Sequence, residues 1–322
     1  MARESRRALS APAERANGRN GGGRKGAVER VLVVSKKSAY EQYVRRHKMA
    51  RVRALLRAKD PVVANLERAD LHHGETLLEV RDALEKLGLR ARFRDRSQAG
   101  SVEDFDLVIT VGGDGTLLSV SHAIGDTNVF AINSAPYDSV GFLCSARRGN
   151  VLERLTEMLD GELETTSLAR MRVTVDGKVA HSRVLNDCLY AHKNPAMTAR
   201  YFLVFGGDKE EQKSSGIWIG PAAGSTAAIR SAGGRRLAPT SQMVQFVVRE
   251  PYNPRGDAYE YARGLVSPGE VFEVWNKMRE AALYIDGPRT VVPLEIGQRV
   301  RFDLSPEPLN VIGFVRDSSA VR

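Results

Sequence analysis

Asp106-Leu107-Val108-Ile109-Thr110-Val111-Gly112-Gly113-Asp114-Gly115-Thr116-Leu117-Leu118 is the stretch from which the fold is read. Its first residues form a short apolar run rich in β-branched side chains, the pattern of a buried parallel strand. The glycines that follow turn the chain at the strand's carboxyl end, where open α/β sheets bind their ligands. Glycines around an aspartate let bare backbone N–H groups approach a phosphate chain with no Cβ atom in the way. A carboxylate does not attract phosphate, so Asp114 points to a base or a magnesium contact. The stretch has neither the lysine of the phosphate-binding loop nor the spacing of Gly-x-Gly-x-x-Gly, and taken alone it also fits a plain strand-to-helix turn.

Upstream, Val31-Leu32-Val33-Val34 predicts a first buried strand within 28–35, and a basic helical segment follows over Tyr40–Lys59, ended by Asp60-Pro61. The stripe Leu77, Leu78, Val80, Ala83, Leu84 and Leu87, stopped by Gly88, predicts a helix over Gly74–Leu87, with a short strand next at Leu89–Phe93. Downstream, Leu117–Ile124 reads as a helix whose N-terminus faces the phosphate turn, Asn128–Asn133 as a strand, Ser139–Leu143 as a turn and Val151–Leu159 as a helix. Strands alternating with helices imply a parallel sheet.

From Leu163 onward the periodicity is two. Candidate strands are Met171–Val175, Ser182–Tyr190, Arg200–Phe205, Gly216–Ile219, Val244–Val248, Val271–Trp275 and Ala281–Ile285. The class is therefore α/β: an N-terminal parallel-sheet α/β domain with the glycine phosphate turn over 28–148, plus a C-terminal β-rich, β-sandwich-like domain over 149–322. The final segments, Arg299–Leu304 and Leu309–Phe314, either pair within the second domain or return to the first.

The chain has 322 residues, 42% hydrophobic and 27% charged, enough for two domains of ordinary composition. It has no run of the ~20 apolar residues that spans a bilayer and no apolar leader, so a soluble, cytoplasmic protein without membrane association is expected. Its two cysteines, Cys144 and Cys188, cannot form a disulfide framework and read as buried thiols. The formal charge of +9 resembles a nucleic-acid signal until it is located: the first 30 positions hold eight basic residues against three acidic ones. With Gly21-Gly22-Gly23 and few apolar residues, residues 1–27 read as a disordered basic tail. Its arginines also fit an organelle transit peptide, against which its glutamates and glycines argue. No aromatics interleave with its basic residues, so no nucleic-acid partner is expected.

Three further clusters, in order and in register with the first, carry a resemblance. Asn186-Asp187 is one, and Gly220-Pro221-Ala222-Ala223-Gly224-Ser225-Thr226-Ala227-Ala228 with Ser231-Ala232-Gly233-Gly234 is the second. Ile285-Asp286-Gly287 is the third. Together with Gly112–Leu118 they resemble the Gly-Gly-Asp-Gly-Thr motif, the Asn-Glu/Asp pair, the Gly-Ser-Thr-Ala segment and the late Ile-Asp-Gly turn of NAD kinases. The resemblance covers about residues 30–315. It implies transfer of the γ-phosphate of ATP or polyphosphate, with magnesium or another divalent cation, to the 2′-hydroxyl of the adenosine ribose of NAD or NADH.

Those roles suit the residues. Phosphoryl transfer needs positioning and charge neutralisation. Asp114 is the expected general base, and the N–H groups of Gly112, Gly113, Gly115 and Thr116 the expected phosphate cradle. Asn186 can donate to and accept from adenine or phosphates, and Asp187 can accept from ribose hydroxyls, although such a pair also commonly caps a turn. In the small-residue segment Gly224, Ser225, Thr226, Ala227 and Ser231 are expected at the nucleotide, the small residues allowing close approach to a flat ring before a helix starting near Thr226. Asn133, ending its strand beside the glycine turn, is expected to contact the nucleotide or to cap the strand.

The chain departs from the family pattern at Ser214-Ser215, where an aspartate is usual, at Ala228 in place of tyrosine, and at Pro288, two residues past Asp286. These positions bear on the choice between NAD and NADH, and the motifs look closest to the plant-type branch that prefers NADH. The six histidines show no ligand spacing beyond the adjacent pair His72-His73, so no metal site made of protein ligands is expected. The resemblance also implies a homo-oligomer, a dimer or tetramer. The alternatives are a lipid kinase of the diacylglycerol or sphingosine type, which shares the glycine turn, and a non-catalytic dinucleotide-binding regulator.

Overall fold

The structure, a computed structural model, describes residues 28–314 apart from 99, 138, 139, 254, 255 and 257. The basic tail expected over residues 1–27 lies outside the described residues. The first half of the chain runs β1 (Arg30–Ser35), a π-helical turn (Glu41–Arg46), α1 (Ala50–Arg57), α2 (Leu66–Lys86), β2 (Arg90–Asp95) and β3 (Leu107–Gly112). It continues with α3 (Asp114–Ser121), β4 (Asn128–Asn133), β5 (Ala146–Arg147), α4 (Val151–Asp160) and β6 (Thr165–Leu168). The sheet order is β2-β1-β3-β4, then the late strand Leu309–Ile312, then β6, with β5 beside β4. The pairs β1–β2, β1–β3 and β3–β4 are parallel, so the topology reverses between β1 and β3, and the glycine turn ends β3 at that point.

Alternate side chains of β1 serve opposite faces. Val31 and Val33 pack with Val80 and Leu84 of α2 and Leu155 of α4, whereas Leu32 and Val34 pack with Leu117 and Val120 of α3. A strand buried on both sides explains its continuous apolar run.

Four of the expected elements differ. The basic segment Tyr40–Lys59 is not one helix: it is interrupted at Lys48, whose φ is +49°, between the π-helical turn and α1. Helix α2 begins at Leu66, eight residues before Gly74, because His73 is drawn into the core; its Nδ1 lies 2.9 Å from Ser134 Oγ and its Nε2 2.8 Å from the Lys36 carbonyl. Tertiary contacts of this kind outweigh the cost of ~1 kcal/mol for a glycine inside a helix. Helix α3 starts at Asp114 and not at Leu117, with Gly113 as its cap, so the carboxylate stands in the first helical turn. The continuous strand expected over Ser182–Tyr190 is two strands separated by Leu185, Asn186 and Asp187.

The second half forms two antiparallel six-stranded sheets. Its strands are β7 (Met171–Val175), β8 (Lys178–Val184), β9 (Cys188–His192), β10 (Ala199–Phe205), β11 (Asp208–Ser214) and β12 (Gly216–Pro221). They continue with β13 (Val244–Arg249), β14 (Arg263–Val266), β15 (Phe272–Asn276), β16 (Ala281–Ile285), β17 (Thr290–Leu294) and β18 (Arg299–Leu304). The orders are β11-β10-β15-β18-β7-β8 and β14-β13-β12-β9-β16-β17. Their inner faces share one core, in which Phe246 stacks on Phe272 at 4.3 Å. The strand Leu309–Ile312, β19, leaves this half and inserts between β4 and β6 of the parallel sheet. β11, Asp-Lys-Glu-Glu-Gln-Lys-Ser, pairs only with β10; charged side chains on such an edge hide a strand from a hydrophobic reading.

One buried cation ties α3 to this crossing. The Arg170 guanidinium, wholly buried, donates to the carbonyls of Ser121 and Ile124 at 2.9 Å and to those of Glu307 and Pro308. It fills the carbonyl end of α3, where a cation is favoured. Burial, more than neighbouring Arg183, lowers its pKa to about 10.

Candidate active site

The glycine turn is shaped by its own neighbours. Gly112 pairs with Asn133 across the sheet, and its carbonyl accepts from Ser134 N at 2.7 Å. A Cβ at Gly112 would lie 2.0 Å from Thr116 Oγ1, so only glycine lets the first turn of α3 fold back on the strand. Thr116 Oγ1 is buried without a hydrogen-bond partner. A Cβ at Gly115 would meet nothing within 4 Å; no packing demand explains that glycine, and the bare backbone leaves its approach open.

Asp114 is gripped by the loop after β4. Its Oδ2 accepts from Phe142 N and its Oδ1 from Leu143 N, both at 2.8 Å. Asn133 lies beneath that loop: it accepts from Ala135 N at 3.1 Å, and its Nδ2 would be 2.3 Å from a Cβ at Gly141. Asn133 thus supports the loop that orients Asp114 and does not line the cavity.

That cavity, ≈ 470 Å³, brings Asp114 together with Asn186, Thr226, Ala227, Arg230 and Arg236, flanked by Phe142 and Ala223. The volume lies within the ~300–1,000 Å³ of small-molecule sites. The small-residue segment enters it as a 3₁₀ turn, Ala222–Thr226, followed by a four-residue helix, α5 (Ala228–Ser231). Gly224 and Ser225 stand behind the wall. A Cβ at Gly224 would sit 1.6 Å from the Asn186 carbonyl oxygen, so this glycine permits close approach of chain to chain where the sequence suggests approach to a ring. Ser225 Oγ accepts from Leu237 N at 3.0 Å. Ser231, exposed at the end of α5, is not part of the lining.

Asn186 and Asp187 occupy the break between β8 and β9, which exists because Asp286 takes their hydrogen bonds. The Asp286 carboxylate accepts from Leu185 N at 2.9 Å, Asn186 N at 2.7 Å and Asp187 N at 3.0 Å, and pairs with His122 Nε2 at 2.8 Å. Three backbone donors turned toward one carboxylate cannot serve a strand ladder. Asn186 Nδ2 in turn donates to Asp187 Oδ2 at 2.6 Å. Burial first, then Asp286, raises Asp187 to a pKa of about 7.

Asp187 faces a second cavity of ≈ 480 Å³ with Ser215, Trp218, Arg249, Tyr284 and Pro288. Two of the three departures from the family pattern, Ser215 and Pro288, therefore line one space, and Ala228 is not among its lining residues. Sequence reasoning passed over Phe142, Leu143, Arg230, Arg236, Asp286 as a clamp, and His122. Only Asp286 had a local signal, its Ile-Asp-Gly turn; Arg230 and Arg236 flank the noted glycine pair.

The chain is similar to known proteins in sequence and in fold. The family described as the ATP-NAD kinase N-terminal domain matches residues 28–163. A protein of Oryza sativa subsp. japonica named "Probable NADH kinase" is 31% identical over 282 residues, 80% of this chain and 86% of its own. The NADH kinase of Arabidopsis thaliana is 33% identical over 233 residues, 65% of this chain and 73% of its own. An NAD kinase from Archaeoglobus fulgidus, solved in complex with ATP, has the same fold with a TM-score of 0.63 at 19% identity, covering 89% of this chain and 94% of that one.

Proposed function

This chain belongs to the NAD kinase family, and we propose that it transfers the γ-phosphate of ATP to the 2′-hydroxyl of the adenosine ribose of NAD(H), giving NADP(H). The observation that carries the assignment to particular residues is the shared cavity of Asp114, Asn186, Thr226, Arg230 and Arg236. It joins a carboxylate at a phosphate turn to groups that recognise an adenosine and a pyrophosphate. In the reaction the 2′-oxygen forms a bond to Pγ, and the bond from Pγ to the β,γ-bridging oxygen breaks, its electron pair leaving on ADP. Asp114 takes the hydroxyl proton; each of its oxygens keeps a lone pair beyond the one given to Phe142 N or Leu143 N. Bare N–H groups at Gly113 and Gly115 receive the transferring phosphate.

No three His, Cys, Asp or Glu side chains converge as a metal cage among the described residues. Magnesium keeps several of its waters and calls for few protein carboxylates. When bound it would neutralise charge on the β- and γ-phosphates, with Asp114 the nearest carboxylate to hand.

NADH is the acceptor we assign as preferred. Ser215 and Pro288 share the cavity of Trp218 and Tyr284 beside Asp187, and the plant relatives are named for NADH. The same reading takes the protein as a cytoplasmic homo-oligomer, at least a dimer; a monomer in light scattering would remove that part. No helix among the described residues is long and apolar enough to cross a membrane. The direct test is NAD and NADH side by side with magnesium and ATP, following NADP and NADPH. A higher kcat/KM for NADH is expected. Preference for NAD would remove the acceptor assignment, and no product from either would remove the kinase reading.

A further inference from the structure

We propose that Arg96 and Arg289, supported by Lys37 and Arg46, seat the polyphosphate chain of the phosphoryl donor on the side of the glycine turn away from the acceptor cavity. The proposal rests on the kinase reading above. A separate cavity of ≈ 110 Å³ is lined by Lys37, Arg46, His47, Asp95, Arg96 and Arg289 among others, cations brought together from three segments of the first half and one of the second. Lys37 follows β1, Arg46 ends the π-helical turn, Arg96 follows β2, and Arg289 stands three residues past Asp286. The Arg96 guanidinium reaches the carbonyl of Gly115 at 3.4 Å, so the basic cavity abuts the phosphate turn. No packing contact accounts for Gly115 being a glycine.

The charges are not balanced internally. The lone carboxylate of the lining, Asp95, is taken by Lys37 at 3.6 Å and by the N–H and hydroxyl of Ser97. Among the described residues Arg46, Arg96 and Arg289 form no ion pair with an acid. Burial, and then the charge of Arg289, hold Arg96 below its ordinary pKa. Like charges pressed together in a partly dry space cost free energy until an anion joins them. Guanidinium groups meet phosphate oxygens in pairs of parallel hydrogen bonds, which makes phosphate the fitting anion.

Size narrows the ligand. The cavity is far below the ~300 Å³ at which small organic molecules are housed, so it suits phosphoryl groups and not a nucleoside. Asp114 lines the acceptor cavity, and the carbonyl of its neighbour Gly115 meets Arg96 of the basic one. A clamp that reads only phosphates accepts them from a nucleoside triphosphate or from an inorganic chain.

The experiment uses the full chain with Arg289→Gln, Arg289→Lys and Arg96→Gln. Arg289 is exposed, so its substitution is compatible with folding, and melting curves check this. With NADH saturating and the donor varied, Arg289→Gln is expected to raise the donor KM at least tenfold while the NADH KM stays within twofold; Arg289→Lys restores part of the loss. Inorganic tripolyphosphate is expected to raise the Tm of the wild type and not of Arg289→Gln. Turnover with tripolyphosphate in place of ATP assigns the seat to base-free chains as well; turnover with ATP alone, still sensitive to Arg289→Gln, assigns it to the nucleoside triphosphate. An unchanged donor KM in an active Arg289→Gln enzyme, or equal changes in both KM values, overturns the proposal. A wild type that makes no NADP(H) fails the kinase reading instead, and the tripolyphosphate melting shift then decides the seat by itself.

Discussion

The Gly112–Thr116 turn and the Leu185–Asp187 turn face each other across one cavity, and they are held by different means. In the first, the parts that shape each other are adjacent in the chain: Gly112 makes room for Thr116, and Gly113 caps the helix that Asp114 begins. In the second, three successive N–H groups are held by the carboxylate of Asp286, about a hundred residues away, and the Asn186 carbonyl is backed by Gly224. The first turn is a local device, to which we assign the chemistry; the second is assembled, and its shape depends on the second half of the chain being folded. Substitutions in the two should therefore fail differently.

The largest effect is expected at the local turn. Asp114→Asn removes the proton acceptor and should lower kcat by roughly 10³, about 4 kcal/mol in barrier, while dinucleotide affinity stays within about tenfold. A retained kcat would show that Asp114 only shapes the loop at Phe142 and Leu143. Asp286→Asn tests the assembled turn: asparagine tolerates the φ of +47° at that site, yet sets an amide NH₂ against backbone donors. A loss of about 2–3 kcal/mol in denaturant unfolding and a raised dinucleotide KM are expected, since buried unsatisfied donors cost ~1–3 kcal/mol each. If kcat alone fell, the contrast between the turns would collapse.

Gly224→Ala comes next. The new methyl must displace the Asn186 carbonyl, an overpacking cost of ~1–3 kcal/mol, and should raise the dinucleotide KM with a smaller change in kcat. An alanine variant with wild-type KM would show that the two segments are free to part. The smallest effect is a pH dependence. Asp187 titrates at about 7 in the fold against an ordinary value of 3.8, so the native state holds its proton more tightly. The stability it contributes is full below about pH 4 and is lost as pH rises through 7. Melting curves of Asp187→Asn should lack that decline; parallel curves would mean that the carboxyl is ionised throughout.

Much of the fold was legible in the residues. Runs of apolar, often β-branched residues marked β1, β3 and β4, and period-two alternation marked β7, because burial on two faces or one leaves different patterns. The start of α2 was not, since it depends on His73 finding Ser134 and Lys36. Nor was β11, whose charges face solvent at an edge.

By itself, then, the sequence determined the glycine turn, the succession of strands along the chain around it and the family resemblance, since each is written in contiguous residues whose physics acts over a few positions. The tertiary structure alone decided that β19 returns to the parallel sheet and that Asp286 opens the break holding Asn186 and Asp187. It also brought Arg96 and Arg289 together beside Gly115. These are contacts between residues far apart in the chain, where charge and hydrogen bonding are settled by what packing brings near, and no local pattern records them.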